Sequence, residues 1–371
     1  MKNKIRIIGA LCLAVIWGAL TVFAWFSPAD EYSLSERRYL AQAPDISSQN
    51  LLSGQFMSKF EDYTTDQFPL RDSLRQLKAL FHQYALMQSD NNDLYITDGY
   101  IAKMDYPLNQ EEVSAAIRKF TRLYEKNLKD SGCNVYLSVV PDKSYYTDSH
   151  HLSMDHEELF LTMQEALPFA QYIDITADLE LSSYYRTDTH WRQETLLPVA
   201  QTLCEAMGMT APTEEEFTVQ KAEQPFYGVY YGQAALPVEA DEMYLMQSDK
   251  LDSCVVGIHD GKKWQKVDYK SMYDLEKLDS KDMYETYLSG TQAAIKIVNP
   301  NAGTNRTLVV FRDSFGSSLA PLLVSEYKNV FIFDIREFSS QRIGSFITFN
   351  ENQDVLFLYS SLVLNTGSMI K

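Results

Sequence analysis

The chain opens on a run with no polar face. Ile7 to Phe26 reads IIGALCLAVIWGALTVFAWF, twenty uncharged residues, which matches the ~20 needed to cross ~30 Å of hydrocarbon. The spacing then becomes amphipathic. Phe56, Phe60 and Tyr63 recur at helical intervals, and beyond Pro69 so do Leu70, Leu74, Leu77, Phe81 and Tyr84. These two runs predict a helical stem packed on the main domain. LYITDGYIAKM, residues 94 to 104, alternates about Asp98-Gly99 and predicts a hairpin. Val113, Ile117 and Phe120 mark one face of a helix from about Glu111 to Lys129, closed by Gly132. Apolar strands follow, NVYLSVV, TLVVF, NVFIFDI and DVLFLYSS, together with the strand-like QYIDIT, and with helical stretches near 157–167, near 193–207 before Gly208, and after Ser314.

Apolar strands alternating with helices imply an α/β fold whose parallel sheet is covered by helices on both faces. Residues 212 to 300 are less periodic and richer in Tyr and acidic positions, as expected of an insertion or lid. The expected division is a membrane anchor at 1–26, a helical stem at 27–90 and a main domain at 91–371 with its insertion at about 212–300. Open parallel sheets bind ligands beyond the carboxyl ends of their strands. Three segments lie there: Val140-Pro141-Asp142-Lys143, Asp188-Thr189-His190-Trp191 and Arg312-Asp313-Ser314.

Composition narrows the partners. The 371 residues are 45% hydrophobic and 13% aromatic, enough for a buried core, and a net charge of −17 without a basic stripe excludes nucleic acid as a partner. Lys2, Lys4 and Arg6 precede the apolar run while Asp30 and Glu31 follow it, which places the N-terminus in the cytoplasm and the rest outside. The run is long for a cleaved signal, so an uncleaved anchor is expected. Val22-Phe23-Ala24 or Ser27-Pro28-Ala29 would be the cleavage site of a signal peptide. Cys12, Cys133, Cys204 and Cys254 show no CxxC spacing, so neither a disulfide framework nor a zinc site is expected, and no cofactor is indicated.

Ser314 sits at the abrupt end of TLVVFR. A serine hydroxyl needs a base within hydrogen-bond reach, and the base needs an orienting carboxylate. Asp188 and His190 supply both in one loop, with Nδ1 held by the acid and Nε2 free to meet Ser314. The N–H of Ser314, near a helix start, is a natural oxyanion donor. Asp188, His190 and Asp313 are a poor metal set with no second imidazole, and His150, His151, Asp155 and His156 have the spacing of a wet loop rather than of a metal site. Lys143 is either a group that steadies a substrate carboxylate or oxyanion, or an exposed loop lysine. Trp191 either wedges its loop into the core or stacks on a sugar. Arg312 either binds an anionic glycan or pairs with Asp313.

Asp-Thr-His-Trp at 188–191 together with Arg-Asp-Ser-Phe-Gly-Ser-Ser at 312–318 resembles the DHHW protein family, which is similar to the SGNH-like alginate O-acetyltransferases. Phe-Pro-Leu-Arg-Asp at 68–72, the Asp98-Gly99 hairpin and Val-Pro-Asp-Lys at 140–143 are lesser matches. The resemblance spans roughly Tyr39 to the C-terminus. It implies a flavodoxin-like SGNH domain outside the cytoplasm and acetyl transfer to or from a polysaccharide. Ser314 is then the nucleophile, His190 the base and Asp188 the orienting acid, with a membrane-embedded O-acyltransferase as acetyl donor. Thr189 stands where the family name has a histidine, and the Asp-His motif precedes the serine, the reverse of ordinary SGNH hydrolases. The expected activity is that of a membrane-anchored O-acetyltransferase or acetylesterase. A catalytically silent glycan-binding or scaffold subunit of an export complex is the alternative.

Overall fold

Blocks of Val, Ile, Leu and Phe form the middle of one eight-stranded sheet. The computed structural model describes residues 2–33, 35–147, 150–260, 262–267 and 272–371. In chain order the strands are β1 (Asn134–Val140), β2 (Gln171–Tyr172), β3 (Val255–His259), β4 (Trp264–Val267), β5 (Ala294–Val298), β6 (Thr307–Arg312), β7 (Asn329–Phe333) and β8 (Gln353–Ser360). Across the sheet they run β4-β3-β5-β7-β6-β8-β1-β2.

From β7 to β2 every pairing is parallel. Counted from β6 and wrapped through the C-terminus to β1 and β2, these strands read 2-1-3-4-5. That is the doubly wound flavodoxin-like order, circularly permuted, and its switch point falls between β6 and β8. The other half departs from the expected all-parallel sheet. β5 pairs antiparallel with β7 and with β3, and β3 pairs antiparallel with β4. All three lie between residues 212 and 300, so this segment is woven into the sheet. β3 and β5 are short and only partly buried, which hid them among polar turns.

All residues of β6 and β8 are buried, because helices cover both faces and side chains alternate between them. Leu308, Val310, Leu356 and Leu358 join Leu203 and Leu319 on one side. Val309, Phe311, Val355 and Phe357 join Phe120 and Leu159 on the other. The helix Gln110–Leu123, capped by Asn109 accepting from the N–H groups of Glu111 and Glu112, sets Phe120 5.0 Å from Phe357 and from Tyr359.

The chain divides into two compact units, Met1–Asn91 with Tyr231–Pro237, and Asn92–Tyr230 with Val238–Lys371. The sheet belongs to the second. In the first, Lys2–Phe26 is one α-helix, and among the described residues only its segment Arg6–Ala24 is long and apolar enough to cross a membrane. Two further helices, Gln55–Asp66 and Arg71–Leu80, form where the spacing predicted them. In the second of these helices, the polarity is turned the other way. Leu70, Leu74 and Leu77 are exposed, while Arg71 and Arg75 turn toward Glu36, at 2.5 and 3.4 Å. An ion network that also includes Arg38 and Asp66 therefore organises this unit. The hydrogen bond from Arg38 holds the Asp66 carboxyl down to about 2.

Candidate active site

β6 stops at Arg312, and Asp313 turns the chain. Its Oδ1 accepts from the N–H of Phe315 at 3.0 Å, and its Oδ2 accepts from the N–H and hydroxyl of Ser360 at 2.7 and 2.6 Å. One buried carboxylate thus fastens the turn after β6 to the end of β8, across the switch point. The turn also needs Gly316, where a Cβ would stand 2.7 Å from Cβ of Arg312. The regular helix begins at Gly316 and tightens at Ala320–Leu323 around Pro321. Ser314 is left in the turn itself, half-buried between buried neighbours.

His190 lies beside it. Its Nε2 is 2.7 Å from Oγ of Ser314 and its Nδ1 is 2.5 Å from Oδ1 of Asp188. An ionised carboxylate can only accept, so Nδ1 carries the proton and Nε2 accepts from the serine. The short spacing Asp-x-His is closed by the backbone as well, because the His190 N–H donates to Asp188 Oδ1 at 3.0 Å. Asp188 is fully buried and His190 nearly so. The structure therefore brings Ser314, His190 and Asp188 into one chain of hydrogen bonds.

Distant segments supply the mould for this loop. Asp241 accepts from the N–H groups of Arg186 and Thr187 and from the Thr187 hydroxyl. The N–H of Val229 donates to Asp188 Oδ2 at 2.8 Å. Gly228 packs so tightly that a Cβ there would overlap Cα and Cβ of Asp188. Tyr284 stacks flat on the His190 ring, centroids 3.7 Å apart and planes 7° apart, and its hydroxyl meets Ser318 Oγ at 2.8 Å. Sequence reasoning missed all four residues. The glycine inside the aromatic stretch Phe226-Tyr227-Gly228-Val229-Tyr230 was the one local signal of close approach.

For Trp191, Arg312 and Lys143 the sequence left a substrate contact and another role open, and all three are buried. Trp191 is buried, and its Nε1 donates to the Phe315 carbonyl at 3.0 Å and to Ser318 Oγ at 2.9 Å, so it locks the histidine loop to the serine turn. Arg312 is also buried. It reaches the carbonyls of Asp313 and Gly290 at 3.3 and 3.4 Å and lies 3.7 Å from Asp334. A guanidinium enclosed beneath the turn is closed to a glycan. Lys143 is fully buried rather than exposed, and its ammonium donates to the carbonyls of Tyr185 and Asp188.

The histidine-rich stretch does not converge. Asp155 caps the helix His156–Ala166, His156 is buried beside Ser144 and Ser153, and His151 stacks on Tyr95. No set of three metal-binding side chains comes together among the described residues. Cys133, Cys204 and Cys254 are free thiols, and burial pushes those of Cys204 and Cys254 up to about 12.

No curated protein sequence matches the chain. Solved structures do. A DHHW family protein from Eubacterium siraeum superposes with a TM-score of 0.61 at 19% identity over 76% of this chain and 94% of its own. Bacillus cereus PatB1, solved with a sulfonyl adduct, gives a TM-score of 0.61 at 20% identity over 76% of this chain and 99% of its own. A second PatB1 structure gives 0.58 at 18% identity over 75% and 98%. The chain has an SGNH-like α/β fold, and residues 172–333, the stretch that carries Asp188, His190 and Ser314, match the DHHW protein family.

Proposed function

We propose that this chain is an extracytoplasmic, membrane-anchored O-acetyltransferase, or a closely related acetylesterase, acting on a cell-surface or secreted polysaccharide through Ser314, His190 and Asp188. The observation that carries the proposal is the contact of His190 with Asp188 on one nitrogen, at 2.5 Å, and with Ser314 on the other, at 2.7 Å. Ser314 Oγ attacks the acetyl carbonyl carbon while Nε2 takes its proton. The tetrahedral intermediate expels the donor oxygen, which receives that proton, and leaves acetyl on Ser314. A sugar hydroxyl then attacks the ester with Nε2 as base, and Ser314 recovers its hydrogen; water in place of the sugar gives hydrolysis. The Ser314 N–H is the first oxyanion donor. Asp188 holds the proton-bearing Nδ1 and stabilises the imidazolium. The acetyl group comes from a membrane-embedded O-acyltransferase, the donor that the resemblance to the alginate O-acetyltransferases implies.

The test is turnover of an activated acetyl ester by the full chain. Ser314→Ala and His190→Ala are expected to lose ~10³-fold or more, and Asp188→Ala less, because the acid orients the base without reacting. Adding an oligosaccharide acceptor separates acetyl-sugar formation from acetate release. A well-folded wild type that turns over no ester and takes no serine-directed sulfonyl fluoride would leave the scaffold alternative standing.

A further inference from the structure

The buried ammonium of Lys143 points to a role outside substrate contact. Lys143 follows the carboxyl end of β1, in Val140-Pro141-Asp142-Lys143, and is fully buried. Its Nζ donates to the carbonyl of Tyr185 at 2.5 Å and to the carbonyl of Asp188. These two oxygens bracket the turn that delivers the Asp188 carboxylate to His190. The rings of Tyr230 and Tyr100 stand 5.3 and 6.0 Å from the ammonium, and the Tyr230 hydroxyl donates to Thr189 Oγ1 at 3.0 Å inside the same loop. The charges that bear on it are those of Asp142 on its own segment, Asp188 on the loop and Asp241 from the segment that cradles the loop.

A lone ammonium in a dry site is costly unless its hydrogen bonds are made. Methionine or leucine would fill the same space without that cost. What neither can do is hold two carbonyls of one turn at a fixed distance from the end of β1. We infer that Lys143 is a positioning residue: it clamps the 185–188 turn to the sheet edge, and through the Asp188 backbone it fixes the acid that orients His190. The inference rests on the acyl-transfer reading above for its kinetic consequence, while the clamp itself is geometry.

The experiment uses the full chain with Lys143→Met and Lys143→Gln, and reads four quantities: kcat and KM for an activated acetyl ester, the rate of Ser314 labelling by a sulfonyl fluoride, the melting transition, and the downfield proton resonance of His190 Nδ1–H. Lys143→Met is expected to melt cooperatively, lose tenfold or more in kcat with KM within twofold, slow labelling by the same factor, and shift or broaden the Nδ1–H resonance. Lys143→Gln, which restores an uncharged N–H donor group, should lie between. Unchanged kcat and an unchanged resonance in folded Lys143→Met overturn the clamp. If Lys143→Met fails to melt cooperatively, Lys143→Gln decides by the same criteria. Should the wild type turn over no ester and take no label, the acyl-transfer reading fails, and the resonance alone still decides whether Lys143 holds the Asp188–His190 pair.

Discussion

At the scale of single residues, the candidate chemistry lies in side chains whose roles depend on distances of a few ångströms. Burial pushes the Lys143 ammonium down to about 8, whereas in the unfolded chain a lysine keeps its proton to about 10.4. Between those values the unfolded state binds more protons, so this residue makes stability rise with pH, by up to ~1.4 kcal/mol per pH unit. Below pH 8 both states are protonated and it adds no slope. The buried thiols of Cys204 and Cys254, pushed up to about 12, act in the opposite direction as the unfolded thiols ionise. Denaturant titrations from pH 7.5 to 10 should therefore be compared between wild type and Lys143→Met. The wild-type curve is expected to gain on the variant as pH rises, and parallel curves would show that the lysine is not held in a dry site. The nearness of Ser314, His190 and Asp188 was legible in the sequence because Ser314 follows a strand and Asp188 and His190 share one short loop, although that loop follows the 3-10 turn Leu181–Ser183 rather than a strand. Tyr284, Gly228 and Asp241 were not, because they reach the loop from segments with no periodicity and no motif of their own. Lys143 was noticed, as either a group that steadies a substrate or an exposed loop lysine, but its place beneath the 185–188 turn was not legible, since the loop above it has no sequence mark.

At the scale of elements, four of the five parallel strands were readable as apolar blocks, which is what burial on both faces requires; the fifth, Gln171–Tyr172, is a two-residue edge strand left exposed or half-buried. The antiparallel extension was not. Val255–His259 and Ala294–Val298 have incomplete burial and sit within a polar stretch, so neither period nor composition marked them. The stem shows the complementary limit: period fixed its helices, but the ion pairs of Arg71 and Arg75 with Glu36 decided which face turned inward. A close approach of two distant segments occurs where Gly228 meets Asp188. Gly228→Ala adds a methyl group that would overlap Asp188 Cα and Cβ, forcing a backbone shift. A misplacement of ~1 Å costs ~10²-fold in turnover, and overpacking costs ~1–3 kcal/mol. Turnover at saturating ester together with denaturant unfolding tests this; a variant with wild-type kcat would show that the loop accommodates the methyl freely.

At the scale of the whole molecule, the helix Lys2–Phe26 carries a segment, Arg6–Ala24, with the length and composition of a membrane span or a signal anchor. Lys4 and Arg6 before the uncharged run and Asp30 and Glu31 after it give the expected orientation. The full-length protein is expected to stay with membranes through salt and carbonate washes, with residues beyond Phe26 open to external protease. Release into the medium of a species shortened near Ala24 or Ala29 would show that the segment is a cleaved signal. The central claim, that His190 activates Ser314 as an acyl-accepting nucleophile, is tested most directly by brief exposure of the full chain to an activated acetyl ester, acid quenching and peptide mass analysis. Acetyl on Ser314 in the wild type, with none on that residue in His190→Ala at equal times, is the expected result. Folded wild-type protein without acetyl on Ser314, or His190→Ala acetylated there as fast as wild type, would contradict it.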